Sequence, residues 1–258
     1  MKISVITAVY YNKTYIHDAI QSVLSQKNVD IEYIIVDGGS KDGTVEIALS
    51  YGNQINKFIS EPDNGVYDAL NKGIAMATGD IIAMLHSDDF YTHDLVLSQV
   101  VEAFENTDCE AVYSNLYYVD GKNTNKIVRV WDSGSFPPSD FYKGWMPPHP
   151  AFFVRRAVYE KYGAFNTLLK SSADYELMLR LILRHQINIA YIPKFFVKMR
   201  TGGASNRSFI NRLKANIEDR KAWQLNQLKP RWYTLILKPF IKVFQYRFFS
   251  YFTTQNSI

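Results

Sequence analysis

The chain has 258 residues, 47% hydrophobic and 21% charged, with a formal net charge of +4; this is ordinary globular composition, enough for one large domain or a domain with an appendage. A single cysteine, Cys109, excludes an internal disulfide and a cysteine metal cluster and suits a reducing compartment. The charge is uneven: residues 221–258 hold six basic and no acidic side chains, leaving 23 basic against 25 acidic in residues 1–220, which argues against a general nucleic-acid binder and for an anionic surface at one end.

Met1-Lys2-Ile3-Ser4-Val5-Ile6 enters a strand at once and has no signal-peptide anatomy. No apolar run reaches the roughly 18–20 residues of a spanning helix. The first half alternates strands and helices. Strands are expected over Ile3–Ala8, Ile31–Val36, Ile55–Ser60, Ile81–Leu85 and Glu110–Ser114. Helices are expected over Tyr15–Gln26, from Asp42-Gly43-Thr44 through Tyr51, over Tyr67–Ala77 and over Asp94–Glu105. That order implies a mostly parallel sheet with right-handed crossovers.

The second half is less regular. Tyr117–Trp131 reads as a hairpin around Gly121-Lys122-Asn123, and Ser133–Pro150 as a long structured loop. Ala151–Val154 is a short strand before a helix over Arg155–Tyr162, and Asp174–Arg184 is a further helix. Ile189–Ile192 and Phe195–Met199 read as two strands, Thr201–Asn206 as a Gly-Ser loop, and Phe209–Leu228 as a long helix. Beyond it, Trp232, Tyr233, Phe240, Phe244, Phe248 and Phe249 interleave with Lys238, Lys242 and Arg247. That pattern fits an interfacial membrane contact or a helix packed on the body.

Polar residues gather at three strand ends: Thr7-Ala8-Val9-Tyr10-Tyr11-Asn12-Lys13 with its Thr, Asn and Lys, then Asp37, and His86-Ser87-Asp88-Asp89. In open α/β sheets such ends line the ligand cleft. Adjacent carboxylates there suit Mg²⁺ or Mn²⁺ carrying a diphosphate. Neither a Gly-x-Gly-x-x-Gly run after the first strand nor a Walker lysine motif is present, so a metal on Asp88 and Asp89 is the expected phosphate anchor.

Taken in order, Ser4-Val5-Ile6-Thr7-Ala8 with Tyr11-Asn12, Ile35-Val36-Asp37-Gly38-Gly39-Ser40-Lys41-Asp42-Gly43-Thr44, Gly65 through Ala75, Gly79-Asp80 and Ser87-Asp88-Asp89 resemble glycosyltransferase family 2. The match is close over residues 3–90 and continues to about residue 203. The resemblance implies a GT-A fold: a Rossmann-like, mostly parallel sheet flanked by helices, with an irregular acceptor-binding second half and C-terminal helices. It divides the matched chain into a nucleotide-sugar-binding half (1–115) and an acceptor-binding and catalytic-base half of the same domain (116–204); residues 205–258, beyond the match, read from their own pattern as C-terminal helices and a tail that either associates with a membrane or packs on the body. It implies an inverting, Mn²⁺- or Mg²⁺-dependent transfer of a hexose or N-acetylhexosamine from a UDP-sugar. The acceptor would be a glycan on polyprenyl diphosphate at the inner face of the cytoplasmic membrane, in bacterial O-antigen, capsule or lipopolysaccharide synthesis.

Position by position, the resemblance makes Thr7, Ala8, Asp37, Asp68 and Lys72 contacts of the nucleotide sugar. Asp89 becomes the direct metal ligand and Asp88 a ribose or metal-shell carboxylate; His86 stands where many members have a further Asp. Asp174, in Ser171-Ser172-Ala173-Asp174-Tyr175-Glu176, becomes the base that takes the acceptor's proton, with Glu176 as fallback and a helix N-cap as the structural alternative. His149 is a candidate for diphosphate, metal or acceptor contact, and Trp145 for stacking on a sugar ring; each also reads as a structural loop residue. Arg200 opens a segment, Arg200 to Ser205, able to close over the diphosphate or simply to join two elements. Competing readings are a sugar-1-phosphate nucleotidyltransferase, which would want a Gly-rich, Arg-containing loop after the first strand, and a non-catalytic sugar-nucleotide-binding partner.

Overall fold

The computed structural model describes residues 1–202 and 209–238. Strands β1 (Lys2–Val9), β2 (Asp30–Asp37), β3 (Lys57–Ser60) and β4 (Ile81–Met84) pair in parallel in the order β3-β2-β1-β4. β1, β2 and β4 are nearly continuous runs of buried β-branched and apolar residues, as strands covered on both faces must be, while the edge strand β3 is only partly buried. Helix α1 (Ile16–Leu24) buries Ile16, Ala19, Ile20 and Val23. Helix α2 (Thr44–Leu49) follows β2 and α3 (Val66–Met76) follows β3. The α3 backbone lies so close to β1 that a Cβ on Gly73 would collide with the Ile6 side chain.

One carboxylate ties the amino ends of these strands together. Glu32 accepts from Ser4 Oγ (2.6 Å), Thr78 N (2.7 Å) and Thr78 Oγ1 (2.8 Å), and pairs with Lys57 Nζ at 2.8 Å. Burial pushes its carboxyl up, but the Lys57 ammonium and the Ser4 and Thr78 hydrogen bonds outweigh this and hold it at about 2.

After β4 the sheet becomes mixed. Helix α4 (Val96–Asn106) leads to β6 (Ala111–Val119). β8 (Phe152–Arg155) slots antiparallel between β4 and β6, and β9 (Ile189–Arg200) runs parallel to β6. β5 (Phe90–Tyr91) adds to β9, and β7 (Ile127–Trp131) to β6, both antiparallel, completing a nine-stranded sheet. The first-half elements lie within a few residues of their expected positions. The second half differs in two ways. The strand expected to stop at Ser114 continues through Val119 and forms the first arm of the hairpin. The two strands expected on either side of Pro193 are one, which absorbs the proline as a register shift around Ser114–Leu116.

Helix α5 (Arg156–Tyr162) follows β8, and α6 (Ala173–Met178) runs into a π-helical turn over Leu179–Arg184. Helix α7 (Phe209–Leu225) packs on α6, with Trp223 fully buried and its Nε1–H donated to Tyr175 OH at 3.0 Å. A helical turn over 234–238 follows. Residues 203–208, most of the expected Gly-Ser loop, and 239–258, most of the basic aromatic tail, lie outside the described residues. Among the described residues no helix is long and apolar enough to cross a membrane.

Candidate active site

The carboxyl ends of β1, β2 and β4 meet on one edge. Their loops are laced together: Gly38 N donates to Val9 O (2.9 Å), Tyr11 N to Ser40 Oγ (2.8 Å), Asn12 N to Thr44 Oγ1 (3.0 Å) and Asn12 Nδ2 to Ser87 Oγ (2.8 Å). Tyr11 takes a positive φ of 50° to make that turn.

Asp37 closes β2 and is fully buried. Its Oδ2 accepts from Gly39 N, Ser40 N (both 2.9 Å) and Ser60 Oγ (2.6 Å), while Oδ1 is buried without a partner. A carboxylate oxygen left so is costly until a donor reaches it. Thr7 differs: its hydroxyl is fully buried and shares a 3.1 Å hydrogen bond with Tyr33 OH inside the core. Its side chain is therefore a core group, not an open base contact. Ala8 is buried in β1 opposite Val36 and brings no polar side chain to the cleft.

Asp68, in the first turn of α3, accepts from Asn64 N at 3.0 Å. Lys72 lies 2.6 Å from Glu61 Oε1 and donates to Pro62 O at 3.2 Å. Both brace the 61–65 loop, Lys72 through a partly exposed ion pair with Glu61.

Asp88 and Asp89 are not equivalent. Asp89 is fully buried, with Oδ1 receiving Arg200 N at 3.3 Å and Oδ2 buried without a partner. Burial, then the Asp88 charge, pushes its carboxyl well above the usual range. Asp88 is only partly buried, so of the two it is the one a diphosphate-borne cation meets first. The pair fits a divalent cation: an enclosed carboxylate with an orphaned oxygen beside a second carboxylate is relieved by positive charge. No group of three or more candidate ligands exists among the described residues, so diphosphate oxygens and water would complete such a shell.

Arg200 lies behind this turn rather than over it. Its guanidinium pairs with Asp18, donates to Asp88 O at 2.8 Å, and sits 4.6 Å and 4.7 Å from the ring centres of Tyr15 and Phe90. It is buried, so it fixes the Asp88-Asp89 turn and is not a free diphosphate clamp.

Asp174 is joined to the end of β4 through two histidines. It lies inside the first turn of α6, whose N-cap is Ser172, so the N-cap alternative is excluded. Its Oδ1 accepts from Tyr67 OH at 3.1 Å and its Oδ2 lies 3.3 Å from His149 Nδ1. His149 Nε2 in turn lies 3.1 Å from His86 Nε2. Burial, then the Asp174 charge, raises the Tyr67 phenol above its usual range, so it keeps its proton and donates. Burial lowers the His86 imidazole, against the opposing pull of Asp88 and Asp174.

Two expected site residues are core residues. Glu176 is buried in a pair with Arg180 (Nη2 to Oε2, 3.0 Å) and accepts from Asn226 Nδ2 at 3.1 Å, so it is no fallback base. Trp145 is buried among Tyr113, Phe136 and Phe141, with Nε1–H donated to Ser133 O at 3.0 Å, and has no face left for a sugar. Two further residues matter that the sequence reading passed over. Tyr67 reaches Asp174 from α3. Glu218, on α7, accepts Lys170 N (3.1 Å), Ser171 N (2.7 Å) and Ser172 N (3.1 Å), clamping the entry to α6.

This fold and cleft define a GT-A glycosyltransferase. The match to the model of Glycosyl transferase family 2 spans residues 4–163, and the chain belongs to that family. An uncharacterized glycosyltransferase of Mycobacterium tuberculosis is 32% identical over 183 residues, 70% of this chain and 69% of its own length. S. aureus TarS 1-349 in complex with UDP-GlcNAc superposes with a TM-score of 0.70 at 18% identity, covering 88% of this chain and 65% of that one. The chain spans only 42% of the longer TarS structure. The mannosyltransferase PcManGT from Pyrobaculum calidifontis, in complex with GDP-Man and Mn²⁺, has a TM-score of 0.64 at 17% identity over 91% of this chain and 67% of that one. Family membership displaces the nucleotidyltransferase reading and that of a non-catalytic partner.

Proposed function

We propose that this glycosyltransferase is inverting and metal-dependent. In this reading it moves a hexose or N-acetylhexosamine from a UDP-sugar to a hydroxyl of a glycan borne on polyprenyl diphosphate, in bacterial surface-polysaccharide synthesis. The observation that carries the reading is Asp174, a carboxylate held on both oxygens by Tyr67 and His149 and joined through His149 to His86, beside the Asp88-Asp89 turn. The structural neighbours support a nucleotide-sugar donor, since TarS was solved with UDP-GlcNAc and PcManGT with GDP-Man and Mn²⁺.

Asp37 Oδ1 suits an N–H donor such as that of a uracil edge. Asp174 takes the proton of the acceptor hydroxyl as its oxygen attacks the anomeric carbon, and the bond from that carbon to the diphosphate oxygen breaks. Asp88 and Asp89 would hold a divalent cation, which would supply charge neutralisation for the leaving diphosphate. The three chain segments, 1–115, 116–204 and 205–258, take the donor, acceptor and membrane roles respectively. In the last, Trp232 is 85% and Ile236 54% exposed, beside Lys229 and Arg231. That cluster supports contact with an anionic lipid surface at the inner face of the cytoplasmic membrane.

The test is UDP release from a panel of UDP-sugars, with and without Mn²⁺, against lipid-linked acceptors. Transfer that needs Mn²⁺ and ends on a lipid-linked glycan is expected; equal transfer in a chelator sinks the metal assignment. Trp232→Ala should reduce binding to anionic vesicles, and an unchanged partition argues for simple packing on the body.

A further inference from the structure

The linked side chains His86, His149, Asp174 and Tyr67 come from four different parts of the chain. His86 follows β4, His149 sits in the turn before β8, Asp174 opens α6 and Tyr67 opens α3. Building on the reading of Asp174 as the base, we propose that His149 is a positioning residue for it, and that His86 sets the tautomer of His149.

The argument is one of donors and acceptors. A carboxylate has no proton to give, so the Nδ1 of His149 that faces Asp174 Oδ2 at 3.3 Å must carry one. In the proposed line His149 is a neutral imidazole, which with its proton on Nδ1 presents Nε2 as a lone pair. That lone pair faces His86 Nε2 at 3.1 Å, and two bare nitrogens at that distance repel. His86 therefore donates its Nε2–H to His149, and His149 donates its Nδ1–H to Asp174. The rings meet edge-on, 67° apart with centres at 5.2 Å, as a nitrogen-to-nitrogen hydrogen bond in the plane of one ring allows.

Tyr67 completes the arrangement from the opposite side. Its hydroxyl donates to Asp174 Oδ1 at 3.1 Å, so each carboxylate oxygen is fixed by one donor and keeps its remaining lone-pair capacity for the acceptor's hydroxyl. The side chains of Asp174 and His149 are 17% and 30% exposed, enough for an acceptor to approach without leaving the base free to swing. The line also ends beside the Asp88-Asp89 turn, so the base is aimed relative to the donor's diphosphate and not only within its own helix. An Asp in place of His86 would accept where His86 donates, and would force a proton onto Nε2 of His149.

Two measurements test this. Long-range ¹H–¹⁵N correlation on the imidazoles of the intact chain, which has five histidines, should find His149 protonated at Nδ1 and bare at Nε2, and His86 protonated at Nε2. A proton on His149 Nε2, alone or together with Nδ1, overturns the tautomer assignment. The second measurement is steady-state UDP release from UDP-N-acetylglucosamine with Mn²⁺. His149→Ala should lower kcat by about 10²-fold, the scale of a misplaced catalytic group, with donor KM unchanged within about 3-fold. His149→Asn, whose amide N–H falls where Nδ1–H lay, should recover about 10-fold or more of that loss. Equal loss in the two variants, or a raised donor KM with kcat retained, overturns the positioning role. In an Asp174→Asn background His149→Ala should cost no more, since residues acting as a unit are not additive. Wild type that releases no UDP from any UDP-sugar of the panel counts instead against the proposed UDP-sugar transfer, and the ring-nitrogen measurement decides the hydrogen-bond line separately.

Discussion

Glu32 and Asp37 lie on the same strand, near its two ends, and both are buried. Glu32 has both oxygens bonded and a lysine ammonium at 2.8 Å. Asp37 has three donors on one oxygen and none on the other. The same contrast runs across the sheet: at the carboxyl edge Asp89 also keeps a buried oxygen without a partner. A fold that satisfies its buried carboxylates at one edge and leaves them short of donors at the other has put stability at the first and reserved the second for a ligand.

Breaking the metal end should have the largest effect. Asp88→Ala is expected to cost about 10²–10³-fold in Mn²⁺-dependent kcat, several kcal/mol of charge stabilisation at the leaving group, with little change in thermal midpoint. Retained turnover would move the metal role off this carboxylate. The two β2 carboxylates should then separate cleanly. Asp37→Asn, whose amide oxygen can still accept from Gly39 N, Ser40 N and Ser60 Oγ, is expected to raise donor KM by about 10–100-fold, the loss of a buried hydrogen bond to a charged group, with little loss of stability. Glu32→Ala is expected to lower stability by about 3 kcal/mol by stranding its buried donors and Lys57, with donor KM unchanged. Denaturant unfolding and initial rates on both variants would expose any mixing of the two effects.

Acid sharpens the same contrast. The Glu32 carboxyl is held at about 2 in the fold, below its ordinary 4.5. Its contribution, on the order of 3 kcal/mol, is therefore fully present above pH ~4.5 and is lost as the pH falls toward 2. Glu32→Gln should flatten the stability-pH curve in that window; an unchanged slope would mean the network is not responsible. The smallest effect is expected at Gly73, where Gly73→Ala forces a Cβ into Ile6 and should destabilise by about 1–3 kcal/mol while leaving donor KM alone.

The parallel half was legible because each strand is a bounded apolar run and each crossover helix has its own period. Asp37, Asp88 and Asp89 could be singled out because strand ends concentrate chemistry; Asp174 stood out only through the family resemblance, since a helix start by itself reads as a cap. The mixed half was not legible in the same way. A proline between two β-rich runs reads as a break, and only pairing with β6 makes Ile189–Arg200 one strand. Side-chain partners were the least legible layer. Glu176 and Arg200 are polar residues near the right motifs, yet each is consumed by a partner distant in sequence or by its own helix. Tyr67 and Glu218 lay in plain view, one beside Asp68 and one on the exposed-looking α7. Nothing local marks a tyrosine that will meet Asp174 or a glutamate that will cap α6.

The central claim is that Asp174 is the base of a UDP-sugar transferase. Its most direct test is Asp174→Asn, with UDP-sugar affinity followed by titration calorimetry and sugar transfer followed on the same preparation. The account predicts affinity within about 2-fold of wild type and transfer reduced by about 10²–10⁴-fold, the contribution of a positioned general base. Transfer at the wild-type rate, or lost transfer explained entirely by lost donor affinity, would contradict it.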